Sequence, residues 1–346
     1  MSKLAISVLA PAKINLSLAI GDKQASGYHE LLSVMQQVEL ADTVEVIADF
    51  TCEKSQINFK LSLEDASHTC YSEASINSEL SNLTQHVKTV PANSDNLCVK
   101  AAELYLAEFA ISAQINIKLT KRIPAEAGLA GGSTDAAATL KALALLHQEF
   151  AQTPESKAKI ATTLPKLASK LGSDVYFCLV GGTAEVKDTG ETVTPLPPLE
   201  PFTCLLIKPN FGISTAQAFS VLDQRREEKK EKSLSSMSDK LILEQQDLAE
   251  RFMRLVPQLE AYQLQNDFTP IVCDLKPDFA CLYDLVLATN PLFMDMTGSG
   301  STIFALYPSD LEADNAIYTL ERTEKAKNLG CTYFLTKIKA PTLASK

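Results

Sequence analysis

Apolar positions Ile14, Leu16, Leu18 and Ile20 alternate with Asn15, Ser17 and Ala19, the period of a half-buried strand. Lys3, the apolar run 4–10 and the tripeptide Ala10-Pro11-Ala12 imitate a secretory signal with its cleavage site. The alternation runs straight through that site, so a strand is expected and a signal is not. A turn is predicted at 21–27, with further strands at 31–38 and 43–48. From Asp49 to Ser94 the chain turns polar, with a short alternation at Ile57, Phe59, Leu61 and Leu63, and reads as an insertion, a hairpin with a mobile tip. Helical spacing returns at 96–109, a strand follows at 113–119, and a glycine-rich loop opens a helix at 134–147 whose Ala137, Leu140, Leu143 and Leu146 share one face. A second helix is predicted over 154–171. Strands at 183–186 and 203–208 then flank a proline-rich linker at 195–201.

Strands and helices alternate irregularly and without a repeat, which favours an α+β fold of packed layers over a doubly wound parallel sheet. A chain of 346 residues exceeds what one core usually supports, so two domains are expected, 1–158 with the polar insertion at about 49–94, and 159–346. The run Arg225 to Lys232 mixes both signs of charge and reads as a solvated helix face or loop.

Composition narrows the partners. A net charge of -10 argues against nucleic acid and anionic membranes as partners and leaves a small-molecule substrate, held by local geometry. The eight cysteines show no C-x-x-C pair, and the four histidines do not cluster with them, so no metal site is expected from protein ligands. Scattered cysteines suit a reducing, cytoplasmic setting, with Cys52 and Cys70 the one pair left open. No apolar stretch reaches transmembrane length.

The candidate chemistry centres on Pro124, Ala125, Glu126, Ala127, Gly128, Leu129, Ala130, Gly131, Gly132, Ser133 and Thr134, followed by Asp135. Glycines at a helix mouth permit positive φ and bring backbone N–H groups close to an oxyanion, and the helix dipole adds to the attraction. Neither a P-loop nor a dinucleotide fingerprint is present. The same residues also suit a ligand-free turn in which Ser133 caps the helix and Asp135 sits favourably in its first turn.

This segment resembles the phosphate-binding motif of the galactokinase, homoserine kinase and mevalonate kinase superfamily, in the Gly-Gly-Ser-x-Asp version of the diphosphocytidyl-methylerythritol kinases. Ala10-Pro11-Ala12-Lys13-Ile14-Asn15-Leu16 is similar to the superfamily's first motif, and 296–304, with Gly298, Ser299 and Gly300, to its third. Gly27-Tyr28-His29-Glu30-Leu31 resembles the cytidine-binding segment, and 212–216 and 266–268 resemble further family segments. After 171–175 the family places proline and an aromatic, where this chain has Tyr176, Phe177 and Cys178. No residue matches the family's second stacking aromatic.

The resemblance implies a two-domain kinase with a ribosomal-S5-like N-terminal domain and a ferredoxin-like C-terminal one. It implies ATP with Mg²⁺, phosphates on 124–134, Asp135 as base with Lys13 beside it, and substrate contacts from Asn15, Tyr28 and His29. The reaction it implies is phosphorylation of the 2-hydroxyl of the diphosphocytidyl-methylerythritol substrate in isoprenoid precursor synthesis. A kinase of homoserine- or mevalonate-type alcohols is the nearest competing reading, opposed by Tyr28-His29. A silent ligand sensor on the same scaffold is opposed by the intact Lys13 and Asp135.

Overall fold

The computed structural model describes residues 3–24, 27, 29–67, 90–229, 246 and 248–339. Its spine is a long antiparallel hairpin, β1 (Leu4–Lys23) and β2 (His29–Asp49), registered from Leu4↔Ala48 to Lys23↔His29. The stretches 31–38 and 43–48 merge into one strand because no glycine or proline interrupts them. Register shifts beside Pro11, which has no N–H to give to the ladder, and the strand bends there.

The first sheet runs β3-β4-β2-β5-β6, with β1 on β2. It includes β3 (Gln56–Leu63), β4 (Gln114–Lys121), β5 (Thr183–Asp188) and β6 (Thr192–Pro195). The alternation at 57–63 is not one arm of a hairpin: β3 lies parallel to β4, from Gln56↔Gln114 to Leu63↔Lys121. The expected mobile tip falls largely on residues outside those described. Helices α1 (Leu97–Phe109), α2 (Gly131–Ala151), α3 (Pro154–Leu171) and α4 (Val175–Val180) contribute with the sheet to one hydrophobic cluster. In α2 the buried residues include Ala136, Ala137, Ala138, Ala142 and Ala144, short side chains that let the helix lie close to its neighbours.

The second sheet runs β10-β7-β9-β8, all antiparallel, from β7 (Thr203–Lys208), β8 (Phe293–Met296), β9 (Ile303–Tyr307) and β10 (Thr332–Lys337). Its helices are α5 (Thr215–Lys229), α6 (Thr269–Leu275), α7 (Pro277–Leu287), α8 (Asp310–Glu321) and α9 (Glu324–Asn328). The chain order strand, helices, strand, strand, helices, strand is the ferredoxin-like pattern.

Residue 158 lies inside α3, and β5 and β6 hydrogen-bond into the first sheet, so the change of sheet falls after Pro195 and not at the expected 158/159. The hairpin ties the two parts together. Ala12, Ile14, Leu16 and Val34 belong to the second hydrophobic cluster, whereas Ala10, Met35 and Val44 belong to the first. Residues 10–18 of β1 are therefore buried on both faces, not half-buried as alternation predicts. Leu18 N–H donates to Gln265 O at 2.8 Å and Lys339 N–H to Gln37 O at 2.9 Å, stitching the hairpin to the second part.

The described cysteines are free, Cys52 among them, and Cys70 lies outside the described residues. Among the described residues no helix is long and apolar enough to cross a membrane.

Candidate active site

A cavity of about 1380 Å³ lies between the glycine-rich loop, β1 and the start of α5. Its lining includes residues 124–133, Lys13, Asp174, His29, Phe219 and Gly298 to Gly300.

The loop takes its shape from three close approaches. Gly128 has φ +72°, and a Cβ there would stand 2.1 Å from the Thr297 carbonyl oxygen, so only glycine fits. Gly298 approaches from the other side, where a Cβ would meet Gly128 Cα at 3.1 Å. Lys13 N–H donates to Leu129 O at 3.2 Å, fastening the loop to β1. The first and third motifs are thus walls of one loop.

Ala130 precedes α2 in the left-handed region (φ 57°), and no side chain caps the helix. The ligand-free alternative would have Ser133 cap the helix, but Ser133 is the third helical residue and lines the cavity. The N–H groups of the first turn have no intrahelical partners, which leaves them to an anion. Thr134 is not among the lining; its hydroxyl donates to Pro11 O at 2.8 Å and is buried.

Lys13 and Asp135 line the same cavity but form no ion pair with each other. Asp135, the fifth residue of α2, points back beneath the first turn, the direction side chains take on a helix. There Lys121 Nζ meets its Oδ2 at 2.8 Å, and the same ammonium pairs with Asp42. Asp42 is further held by the N–H of Ile123 at 2.9 Å. Asp135 is 2% exposed and its Oδ1 has no hydrogen-bond partner. Burial, with Asp42 adding to it, pushes its carboxyl well above the ordinary carboxylate range, and Lys121 offsets this only in part. The two carboxylates in turn raise the Lys121 ammonium despite its burial.

Lys13 is paired instead with Asp174, Nζ to Oδ2 at 3.6 Å. Asp174 comes from the junction of α3 and α4 and makes no side-chain cap to α4, so its carboxylate, 29% exposed, is free to face the cavity. Tyr176, Phe177 and Cys178, where the family has proline and an aromatic, continue α4, and the latter two are buried in the first cluster. The departure leaves Asp174 in place.

Asn15, expected on the substrate, lines the cavity, and its side chain also organises the site: Oδ1 accepts from Lys13 Nζ at 2.6 Å and from Gly298 N–H at 2.9 Å, and Nδ2 donates to Ser33 Oγ at 2.8 Å. At the far end, His29 stacks on Phe219 of α5, with centroids 4.8 Å apart and 21° between planes. Tyr28 lies outside the described residues. Phe219 lies three residues beyond the 212–216 segment that resembles the family, and Asp174 lies in the 171–175 segment just before the chain departs from the family pattern.

Among the described residues no three His, Cys, Asp or Glu side chains cluster as metal ligands.

Comparison with known proteins agrees with this geometry. The GHMP kinases N terminal domain family matches residues 96–182. The chain is 33% identical over 313 residues to 4-diphosphocytidyl-2-C-methyl-D-erythritol kinase of Lachnoclostridium phytofermentans, covering 90% of this chain and 91% of the relative. It is 35% identical over 306 residues to the kinase of that name from Geobacillus thermodenitrificans, covering 88% and 89%. A solved structure of 4-(cytidine 5'-diphospho)-2C-methyl-D-erythritol kinase superposes with a TM-score of 0.64 at 24% identity, over 97% of this chain and 100% of that one. A homoserine kinase from Cytophaga hutchinsonii gives 0.61 at 18% identity, over 97% and 95%. With relatives this similar over nine-tenths of its length, the chain belongs to the 4-diphosphocytidyl-2-C-methyl-D-erythritol kinase family.

Proposed function

We propose that the protein transfers the γ-phosphoryl group of ATP to the 2-hydroxyl of 4-diphosphocytidyl-2-C-methyl-D-erythritol. The observation that carries this reading is the Lys13–Asp174 pair, which shares one cavity with an uncapped helix N-terminus on one side and the His29–Phe219 rings on the other. A phosphate loop, an acceptor for a hydroxyl proton and an aromatic seat for a base are the three parts the reaction needs.

Phosphoryl transfer asks for positioning and charge stabilisation more than covalent chemistry. The N–H groups at the mouth of α2 hold the ATP phosphates. Asp174 takes the proton of the attacking hydroxyl as the new P–O bond forms, and the Lys13 ammonium, fixed by Asn15, steadies the carboxylate and the incoming oxygen. Asp135 and Lys121 line the same cavity, but Asp135 is 2% exposed and pairs with Lys121, whereas Asp174 is the more open carboxylate, which favours Asp174 as the base. Mg²⁺, bound with the nucleotide, would supply neutralisation of the phosphate charge. With no cluster of carboxylates among the described residues, the phosphates and the Ser133 hydroxyl at the cavity wall are its fitting ligands. The cytosine end rests on Phe219 and His29, with stacking worth roughly 1–3 kcal/mol. ATP as donor argues for a cytoplasmic location.

The test is incubation with Mg·ATP and 4-diphosphocytidyl-2-C-methyl-D-erythritol, followed by ³¹P NMR. A new phosphomonoester resonance is expected from the wild-type protein. No product from protein that still binds ATP would move the acceptor to another alcohol.

A further inference from the structure

Of the charged run Arg225 to Lys232, residues 230–232 lie outside those described, and Arg226 does more than face solvent. Phe219, Asp223 and Arg226 stand at i, i+4 and i+7 on α5, a spacing that puts them on one stripe of the helix, and all three converge on His29. Phe219 meets the face of the imidazole. Asp223 Oδ1 lies 3.3 Å from Nε2. The other ring nitrogen, Nδ1, lies 3.0 Å from Gly21 O, and Arg226 Nη1 donates to that same carbonyl at 2.8 Å while Nη2 donates to Ile20 O at 2.5 Å. Asp267 closes the arrangement: its Oδ2 accepts the Ile20 N–H at 2.8 Å and stands 3.6 Å from the guanidinium.

We propose that Asp223 and Arg226 are specificity-determining positioning residues, which orient His29 from its two ring nitrogens and so set the enzyme's affinity for the pyrimidine of its substrate. This rests on the cytidine reading of the preceding subsection. An imidazole held at both ring nitrogens and on one face keeps one fixed orientation beside a base, whereas an imidazole free about χ2 takes several and loses affinity in choosing among them. The guanidinium is suited to its part because two of its N–H groups can span two successive carbonyls, which an ammonium cannot do with the same geometry. Neither residue lies near Lys13, Asp174 or the phosphate loop in the contacts it makes. The proposal therefore separates binding of one substrate from turnover and from binding of the other.

The experiment compares wild type with Asp223→Asn, nearly isosteric, and Arg226→Lys, which keeps the charge, alongside Arg226→Leu. KM for the cytidine substrate is expected to rise roughly tenfold or more in Asp223→Asn and Arg226→Leu and less in Arg226→Lys. Turnover at saturation and KM for ATP should stay within about twofold, the pattern of lost ground-state binding. CMP binding by calorimetry should weaken in parallel. In a His29→Ala background the two substitutions should add little, because their effect passes through the ring they hold. Unchanged CMP affinity in all three variants overturns the proposal, as does an effect that persists in full without His29. Failure of wild-type protein to bind CMP at all would instead remove the cytidine reading and this inference with it.

Discussion

Two lysine–aspartate pairs stand on either side of the phosphate loop, and they differ in almost everything except composition. Lys13 and Asp174 meet at 3.6 Å, with the carboxylate partly open to the cavity. Lys121 and Asp135 meet at 2.8 Å inside the protein, with Asp42 on the same ammonium. An acid–base group must exchange its proton with a substrate, so it needs an open face and a partner that can let go. A structural carboxylate needs the reverse, because any charge left unpaired in the interior is costly. By that measure the more open pair suits the chemistry proposed above, and the trio, whose Lys121 and Asp135 reach the same cavity wall but are nearly buried, suits a platform for the loop.

The largest expected effect sharpens this contrast. Asp174→Asn keeps the shape of the side chain and removes the proton acceptor, so turnover should fall by roughly 10²–10⁴ with ATP binding kept, read by single-turnover kinetics and nucleotide titration. A near-wild-type rate would return the role of base to another group. Lys13→Met should lower kcat by a large factor, on the order of 10²–10³, with the glycine loop still fastened to β1, since methionine keeps the backbone N–H that donates to Leu129 O. A turnover close to wild type would remove the Lys13 ammonium from the chemistry and leave it a partner of Asn15 and Asp174 only.

Much of this was legible in the sequence, and the parts that were not share a cause. The strands at 203–208 and the helix at 154–171 emerge with the bounds their periodicity predicts, because each is long enough to show its pattern and is bracketed by proline or glycine. The glycine loop was readable for the same local reason. What periodicity could not say is which lysine meets which aspartate. Lys13, Lys121, Asp135 and Asp174 are each plain in the sequence, but the pairing is set by where α2 and the α3–α4 junction land on the sheet, a tertiary matter. Position inside a recognisable motif made Asp135 the attractive choice, and a motif fixes backbone before it fixes the direction of a side chain. The stripe Phe219, Asp223 and Arg226 was hidden differently: its residues read as a mixed-charge surface until the hairpin end is laid across them.

The closed trio makes its own prediction on stability. Lys121→Met leaves Asp42 and Asp135 buried together without their cation, which should cost about 3–5 kcal/mol and lower the midpoint of urea unfolding correspondingly. Ile123 N–H still holds Asp42, so the loss should not exceed that range by much. A variant as stable as wild type would mean the two carboxylates can share a proton at no cost, and the platform would not depend on its lysine.

The smallest effect on turnover is the most telling. Asp135→Asn should leave kcat within about threefold of wild type, where an essential base would lose orders of magnitude. Its influence on stability has a definite sign. A carboxyl whose pKa is raised on folding binds its proton more tightly in the folded protein, so the folded state is favoured at pH below the unfolded value of about 3.9, and that advantage is lost as pH rises through the folded pKa. Asparagine does not titrate and carries no such loss. Thermal unfolding of the variant, compared with wild type at a series of pH values, should therefore improve relative to wild type as the pH is raised from acid toward neutral, while the rate of phosphoryl transfer stays put. A variant that instead gains relative stability toward acid would show Asp135 to be held ionised by Lys121, and the open and closed pairs would then differ in access alone.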